Sequence, residues 1–243
     1  MGTADTAVVT GASSGIGEAI AAALLQKDIP VVTLQRTAPK LKHKGLHFRS
    51  VDLTDLAAVR KVGDAVAEEF PVRYLVNNAG QNAPNPLEKA TVEELNQVLT
   101  ITLGAAMVLI QSFVPGMRRA KFGRIVNISS RAILGKSERV VYASAKSGLE
   151  GMTRVVAIET GADGITVNAV MPGPVETAHF NRGHPPGSHK RQAVIEKVLV
   201  GRLGTTQEVA RAVAFLLDKD SGFITGQSLF VCGGTSVTGT GGE

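Results

Sequence analysis

The chain has 243 residues, 44% hydrophobic and 19% charged, and its single cysteine, Cys232, excludes an internal disulfide framework and any cysteine-rich metal centre. This length suits one α/β domain with a substantial core, and the low charge argues against a disordered chain. The formal net charge is +5, but neither interleaved aromatic residues nor a nucleic-acid motif accompanies the basic residues, and no apolar run is long enough to span a membrane, so we expect no nucleic-acid and no membrane partner.

Short apolar runs alternate with amphipathic stretches along almost the whole chain. In chain order the predicted elements are strand 7–10, helix 16–27, strands 31–34 and 46–51, helix 56–70, strand 74–77, helices 93–99 and 103–119, strand 124–129, helix 142–160, strand 165–170, helix 207–217 and strand 228–231. The strands are continuously apolar, which is typical of parallel strands covered on both faces. The alternation predicts a single doubly wound α/β domain over residues 1–243.

Two further features of the chain concern its ends and its one irregular segment. The first predicted strand begins at Ala7, which leaves no room for a cleaved leader, so we expect a cytoplasmic protein. Residues 172–186 are rich in proline and glycine, which favours a functional lid, and we place the substrate lid at about 177–200. The three histidines of the lid have no familiar zinc spacing, so we expect no metal site.

A glycine-rich turn follows the first predicted strand and opens the first predicted helix. Glycines there permit a tight turn, and the free N–H groups at the helix N-terminus favour the pyrophosphate of a dinucleotide. The candidate phosphate-binding residues are Gly11, Ser13, Ser14, Gly15, Ile16 and Gly17.

A second motif places Tyr142 and Lys146 four residues apart in a predicted helix, and therefore on one helix face. A nearby ammonium lowers the pKa of a phenol, which would suit Tyr142 to protonate a carbonyl oxygen while hydride reaches its carbon. The alternative is a surface tyrosine that stacks along the aliphatic part of a lysine.

These motifs, together with Asn77-Asn78-Ala79-Gly80, Ser130 and the segment 172–177, resemble the short-chain dehydrogenase/reductase family from residue 7 to about residue 234. The resemblance implies a single Rossmann-type sheet of about seven parallel strands with helices on both faces, assembled as a homodimer or homotetramer. It also implies that Ser130 orients the substrate carbonyl, that Tyr142 is the general acid and base, and that Lys146 binds the cofactor ribose and tunes Tyr142.

The catalytic serine and its proton relay depart from the family pattern. Ser129 and Ser130 lie thirteen and twelve residues before Tyr142. We choose Ser130 as the catalytic serine, because in the family it is usually the second serine of such a pair. Where many members have an asparagine that holds a relay water, this chain has Thr102. A hydroxyl can bind water but lacks an amide, so we expect an altered relay.

The end of the second predicted strand decides the cofactor. Enzymes that use NAD usually have an acid there, whereas this chain has Gln35 followed by Arg36 and Thr37, which favours the 2′-phosphate of NADP(H). Asp52 resembles the adenine-contacting residue, although it or Thr54 could instead cap the next helix. The other cofactor residues implied by the resemblance are Leu53, Asn78, Ala79, Gly80, Tyr142, Lys146, Pro172, Gly173, Val175 and Thr177.

Three functions are compatible with these features. The first is an NADP(H)-dependent oxidoreductase that interconverts a secondary alcohol and a ketone on a small molecule. The second is a 3-oxoacyl-[acyl-carrier-protein] reductase, in which basic residues dock the acidic carrier; Lys121 fits such a patch, but Asp163 stands where a second base is expected. The third is a non-catalytic NADP(H)-binding regulator, which the replacement at Thr102 permits and the retained Ser130, Tyr142 and Lys146 disfavour.

Overall fold

Seven parallel strands form one sheet in the computed structural model, which describes residues 4–238. The strands are β1 (Thr6–Thr10), β2 (Val31–Gln35), β3 (Leu46–Ser50), β4 (Val72–Asn77), β5 (Gly123–Ile128), β6 (Ile165–Pro172) and β7 (Ser228–Val231). Their spatial order is β3-β2-β1-β4-β5-β6-β7, and each neighbouring pair is parallel. The expected doubly wound sheet of about seven strands is confirmed; residues 1–3 and 239–243 of the expected domain lie outside the described residues.

Helices cover both faces of this sheet. They are α1 (Gly15–Leu25), α2 (Leu56–Glu69), α3 (Val92–Leu99), α4 (Ala105–Ala120), α5 (Val140–Thr160), α6 (Ala178–Gly183), α7 (His189–Glu196) and α8 (Thr206–Leu216). Neighbouring strand residues point to opposite faces. Val8 packs in the core formed with α2, α4 and α5, whereas Val9 packs in the core formed with α1 and α8.

One continuous helical stretch replaces the two separate helices that the sequence predicts around residue 101. A wide π-helical turn, Thr100–Gly104, joins α3 to α4 without a break. No proline interrupts the chain there, and the Thr100 hydroxyl donates to the Asn96 carbonyl at 2.7 Å, which keeps the turn helical. By length and composition alone, Val92–Ala120 could cross a membrane, but half of its most apolar window is buried inside the protein, as in a core helix.

The segment after β6 is more ordered than its proline and glycine content predicts. Two short helices, α6 and α7, occupy most of residues 178–196. Each begins at a capping hydroxyl: Thr177 accepts a hydrogen bond from the Phe180 amide, and Ser188 accepts one from the Arg191 amide. The predicted lid therefore consists of two capped helices joined by a turn.

Candidate active site

A cleft lies where the strand order reverses, between β1 and β4, which is where open parallel sheets bind ligands. It has a volume of about 290 Å³. Its lining includes the predicted residues Gly11, Ser13, Arg36, Thr37, Asp52, Leu53, Asn78, Ala79 and Gly80. It also includes Gln35, Val51 and Ile101, which the sequence analysis did not assign to the site. Most of the residues predicted to bind the adenosine and pyrophosphate thus lie together.

Asn78 and Thr10 lock the glycine-rich turn to the end of β4. The Asn78 amide group donates to the carbonyls of Thr10 and Gly11 at 2.9 and 3.1 Å, and the Thr10 hydroxyl accepts from the backbone of Asn78. Gly17 must be glycine, because a Cβ there would lie 2.4 Å from the Gly11 oxygen. Gly11 also needs its positive φ of 66°. These contacts therefore fix the glycine-rich turn against the end of β4.

Gln35 is the site residue that sequence reasoning undervalued. Its side-chain oxygen accepts from the Ala12 amide at 3.2 Å, so it supports the glycine-rich turn from the end of β2. Its side chain is buried, and its Nε2 has no partner within residues 4–238. A buried amide donor without a partner favours an acceptor oxygen on a bound ligand. In the sequence, the indication was that Gln35 is neutral at a position where enzymes that use NAD usually have an acid.

Asp52 and Arg36 face each other across the rim of the cleft. Their nearest oxygen and nitrogen atoms are 3.9 Å apart, and 77% of the Arg36 side chain is exposed. Hydrogen bonds from Thr54 to one carboxylate oxygen, and next the positive charge of Arg36, lower the pKa of Asp52. The alternative that Asp52 or Thr54 caps α2 does not hold, because the Asp55 carboxylate accepts a hydrogen bond from the Ala58 amide and is the cap.

Lys146, Gly80 and Thr102 meet at the inner end of the cleft. The Lys146 ammonium is buried, donates to the Ile128 carbonyl at 2.6 Å, and has its pKa lowered to about 8 by that burial. A Cβ on Gly80 would lie 3.1 Å from Lys146 Nζ and 3.5 Å from the Thr102 hydroxyl. The Thr102 hydroxyl is buried and has no partner within residues 4–238, so it remains able to bind a water.

Tyr142 lies beside Lys146 on α5, with the ammonium 5.8 Å from the centre of the phenol ring. The pKa of Tyr142 is raised, not lowered as the sequence analysis expected, because burial outweighs the opposing effects of Ser130 and Arg139. Lys146 is not among the groups that shift the pKa of Tyr142. Tyr142 is therefore a protonated phenol at neutral pH.

The two neighbouring serines differ in what their hydroxyls contact. The Ser129 hydroxyl is buried and donates to the Lys146 carbonyl at 3.0 Å, which fixes β5 to α5. The Ser130 hydroxyl accepts a hydrogen bond from the Ala132 amide at 3.1 Å. Its side chain also hydrogen-bonds to the phenol of Tyr142, which lowers the pKa of that phenol. Ser130 is thus the serine of the pair whose hydroxyl contacts the phenol of Tyr142.

Residues 172–177 form the wall next to the lid. Gly173 lies so close to Cys232 that a Cβ on it would be 2.6 Å from the Cys232 Cα. A glycine at this position therefore allows the two backbone segments to pack against each other. Val175 is buried and pairs with Gly204 in a short parallel bridge. The Thr177 methyl would lie 3.6 Å from a Cβ on Gly15, which places the start of the lid over the glycine-rich turn.

Comparisons with known proteins agree with this architecture. A family model described as "Enoyl-(Acyl carrier protein) reductase" matches residues 11–236. The chain is 35% identical over 241 residues to the (2S)-[(R)-hydroxy(phenyl)methyl]succinyl-CoA dehydrogenase subunit BbsD of Thauera aromatica, covering 95% of this chain and 96% of that protein. It is 36% identical over 239 residues to the 3-oxoacyl-[acyl-carrier-protein] reductase FabG of Escherichia coli (strain K12), covering 94% of this chain and 96% of that protein.

A solved structure shows the same fold over nearly the whole chain. This structure, "ElxO with NADP Bound", is 27% identical in sequence and has a TM-score of 0.90, covering 96% of this chain and 99% of that one. Together with the match of the family model and the two relatives, this similarity extends over both cores and the cleft. The chain belongs to the short-chain dehydrogenase/reductase family of oxidoreductases.

Proposed function

We propose that the protein is an NADP(H)-dependent oxidoreductase that interconverts a secondary alcohol and a ketone. The observation that carries this proposal is the convergence of Ser130, Tyr142 and the buried Lys146 at the inner end of the cleft. These are the side chains needed to orient a carbonyl, to exchange a proton with its oxygen, and to hold the ribose of the cofactor.

The residues of the cleft fit a nicotinamide dinucleotide. The glycine-rich turn leaves backbone amides free at the start of α1, and the unpartnered Gln35 amide and Thr102 hydroxyl offer polar atoms to a ligand and a water. Arg36 and Thr37 would hold the adenosine end, and Tyr142 and Lys146 the nicotinamide ribose. When bound, the cofactor supplies or accepts the hydride.

Tyr142 performs the proton transfer. Its raised pKa keeps the phenol protonated at neutral pH, so it donates a proton to the carbonyl oxygen during reduction. In the oxidative direction the phenolate takes the proton from the alcohol. Ser130 donates a hydrogen bond to the same oxygen, and Thr102 holds a water near Lys146 through which the proton is exchanged with solvent.

The charges at the end of β2 support NADP(H) over NAD(H). Gln35 carries no charge that would repel a 2′-phosphate, and the exposed Arg36 presents a planar fork that fits one. The NADP bound in the ElxO structure is consistent with this preference.

The similarity to FabG makes a 3-oxoacyl-[acyl-carrier-protein] reductase the second candidate. The surface contacts argue against it, because Asp163 accepts from Arg118 at 3.0 Å and from Lys121 at 2.8 Å. These bonds lower the pKa of Asp163 and reduce the positive charge of the patch expected to dock an acidic carrier. Retention of the chain on immobilised acyl carrier protein would favour this candidate.

The test is turnover of NADPH and NADH against ketones, diketones and short 3-oxoacyl thioesters, including CoA thioesters because of the similarity to BbsD. We expect Tyr142→Phe to lower kcat by at least about a thousandfold and to leave NADPH binding nearly unchanged. Ser144→Ala is the control, since the Ser144 hydroxyl donates to the Val140 carbonyl on the exposed side of α5. Equal activity of Tyr142→Phe and the wild type would refute the mechanism, and NADPH binding without any turnover would favour the regulator.

A further inference from the structure

The loop between β5 and α5 concentrates positive charge beside the catalytic side chains. Arg131 directly follows Ser130, and Arg139 is the N-cap residue of α5, three residues before Tyr142. Lys136 lies between them in the exposed part of the loop. The only acidic residue in this segment is Glu138. We call Arg131, Lys136 and Arg139 the cationic rim.

The cationic rim is free of carboxylate partners within residues 4–238. Arg131 donates only to the Thr235 carbonyl at 3.5 Å, and Arg139 only to the Glu138 carbonyl at 2.9 Å. Lys136 donates no hydrogen bond to a described residue. Since a guanidinium has five N–H donors, most donors of the rim remain available.

Other cations of the chain contrast with the rim. Arg202 pairs with Glu208 and Arg49 with Glu69, each at 2.6 Å. Arg118 and Lys121 share Asp163. The three cations of the rim have no such carboxylate partner within residues 4–238.

Lys136 lies five residues after Arg131 and three before Arg139, and Arg139 lies about one helical turn before Tyr142 at the start of α5. Partial burial first, and then the charges of Arg139 and Arg131, lower the pKa of Lys136, which is otherwise exposed. Arg139 also acts on the phenol of Tyr142 and lowers its pKa. Like charges brought together without counterions are unfavourable, and a bound anion relieves that cost.

We propose that the cationic rim binds an anionic group of the substrate, a carboxylate or a phosphate, and so holds the reacting carbonyl against Ser130 and Tyr142. This inference rests on the proposed function for the position of the carbonyl, but anion binding itself needs no turnover. A carboxylate would lie a few bonds from the carbonyl on a small substrate. A phosphate would belong to a longer carrier arm such as that of CoA.

Two matched probe pairs distinguish these sources. For the carboxylate we use 3-oxobutanoate and its neutral analogue 3-oxobutanamide. For the phosphate we use acetoacetyl-CoA and acetoacetyl-N-acetylcysteamine, which share the reacting thioester. Dissociation constants are measured by calorimetry on the full chain with NADP⁺ present, in the wild type, Lys136→Gln, Lys136→Arg and, as control, Lys61→Gln on the exposed side of α2.

In at least one pair we expect the anionic probe to bind about tenfold more tightly than its neutral partner, and Lys136→Gln to remove most of that preference. Lys136→Arg should restore it, and Lys61→Gln should leave it unchanged. Equal affinities in both pairs, binding of no probe, or the same loss in Lys61→Gln would overturn the proposal. Turnover is scored separately: an anion preference without turnover of any probe would contradict the proposed function alone, and turnover without an anion preference would contradict this inference alone.

Discussion

A single guanidinium at the rim of the cleft governs the predicted choice between the two nicotinamide dinucleotides. Arg36 is mostly exposed, and its nearest nitrogen lies 3.9 Å from an Asp52 oxygen, which is too far for a hydrogen bond. Its N–H donors are therefore available for a 2′-phosphate. We expect Arg36→Ala to raise the KM for NADPH about tenfold or more and to change that for NADH less than about twofold. Lys61→Ala, far along α2, is the charge-matched control. Similar changes for both cofactors would remove Arg36 from phosphate recognition.

Because Lys146 is buried, the free energy of unfolding depends on pH in the alkaline range. Its pKa falls from 10.5 to about 8 on burial, and each unit corresponds to about 1.4 kcal/mol, so the buried charge costs a few kcal/mol at neutral pH. Between about pH 8 and 10.5 the folded chain has lost this proton while the unfolded chain keeps it. This cost is therefore fully present below pH 8 and decreases as the pH rises through that window.

Replacing Lys146 by methionine should remove this cost together with the activity. We expect Lys146→Met to raise the free energy of unfolding at pH 7 by about 1–3 kcal/mol, less any loss from the Ile128 carbonyl that it leaves unpaired, and to show a smaller gain at pH 9.5. Urea unfolding at the two pH values, without nucleotide, measures the difference. A gain that is the same at both pH values, or one that Lys61→Met reproduces, would contradict burial of the charge as its cause.

For single residues, the sequence indicated which side chains belong to the candidate site, but not which groups they contact. The four-residue spacing was enough to place Tyr142 and Lys146 on one face of α5. It could not give the direction of the Tyr142 pKa shift, which depends on burial by distant segments. Nor could it show that Asp55 rather than Asp52 caps α2, because several acidic and hydroxyl residues precede the helix and only the path of the chain selects one.

At the scale of elements, Arg191 holds the predicted lid together. Its side chain is only 14% exposed. The guanidinium pairs with Glu176 before α6, donates to the Asn181 side chain at 2.8 Å, and lies 5.9 Å from the centre of the Phe180 ring. One side chain on α7 thus fixes both ends of α6. A buried arginine with several partners stabilises more than an exposed ion pair does.

We expect Arg191→Met to loosen the lid while leaving the sheet unchanged. Hydrogen exchange of residues 178–197 should become at least about tenfold faster, and the KM of a carbonyl substrate should rise more than that of NADPH. Lys190→Met, one residue earlier and exposed, is the matched control. Unchanged exchange in α6 would mean that its N-terminal cap at Thr177 suffices to hold it.

Elements were predictable where burial imposes a simple pattern. Apolar runs located the seven strands to within about two residues, because parallel strands covered on both faces tolerate little else. The edge strand β3 is the exception, since it is only half-buried and includes His47 and Arg49. The two lid helices escaped prediction because they are short and polar, and depend on caps at Thr177 and Ser188. The join of α3 to α4 escaped because a π-helical turn preserves hydrogen bonding while it breaks the 3.6-residue period.

For the whole molecule, two exposed apolar surfaces bear on the expected self-association. One lies on α4 and α5, where Met107, Val155 and Ile158 are 48%, 53% and 82% exposed. The other lies near β7 and α8, where Phe215, Phe223 and Leu229 are 53%, 104% and 37% exposed. Apolar patches of this kind mark association surfaces, and two separate twofold interfaces generate a tetramer with two axes at right angles.

An aspartate substitution on each of the two apolar surfaces can therefore distinguish a dimer from a tetramer. If both surfaces are interfaces, Ile158→Asp and Phe223→Asp should each convert a tetramer to dimers, because each leaves the other interface intact, and the double variant should be monomeric. If the chain is a dimer, only one of the two substitutions should change its mass. Analytical ultracentrifugation measures the outcome, with Ala67→Asp on the exposed side of α2 as the control for an added charge. A monomeric wild type would contradict the expectation of self-association, and a double variant with the mass of the wild type would place the interface elsewhere.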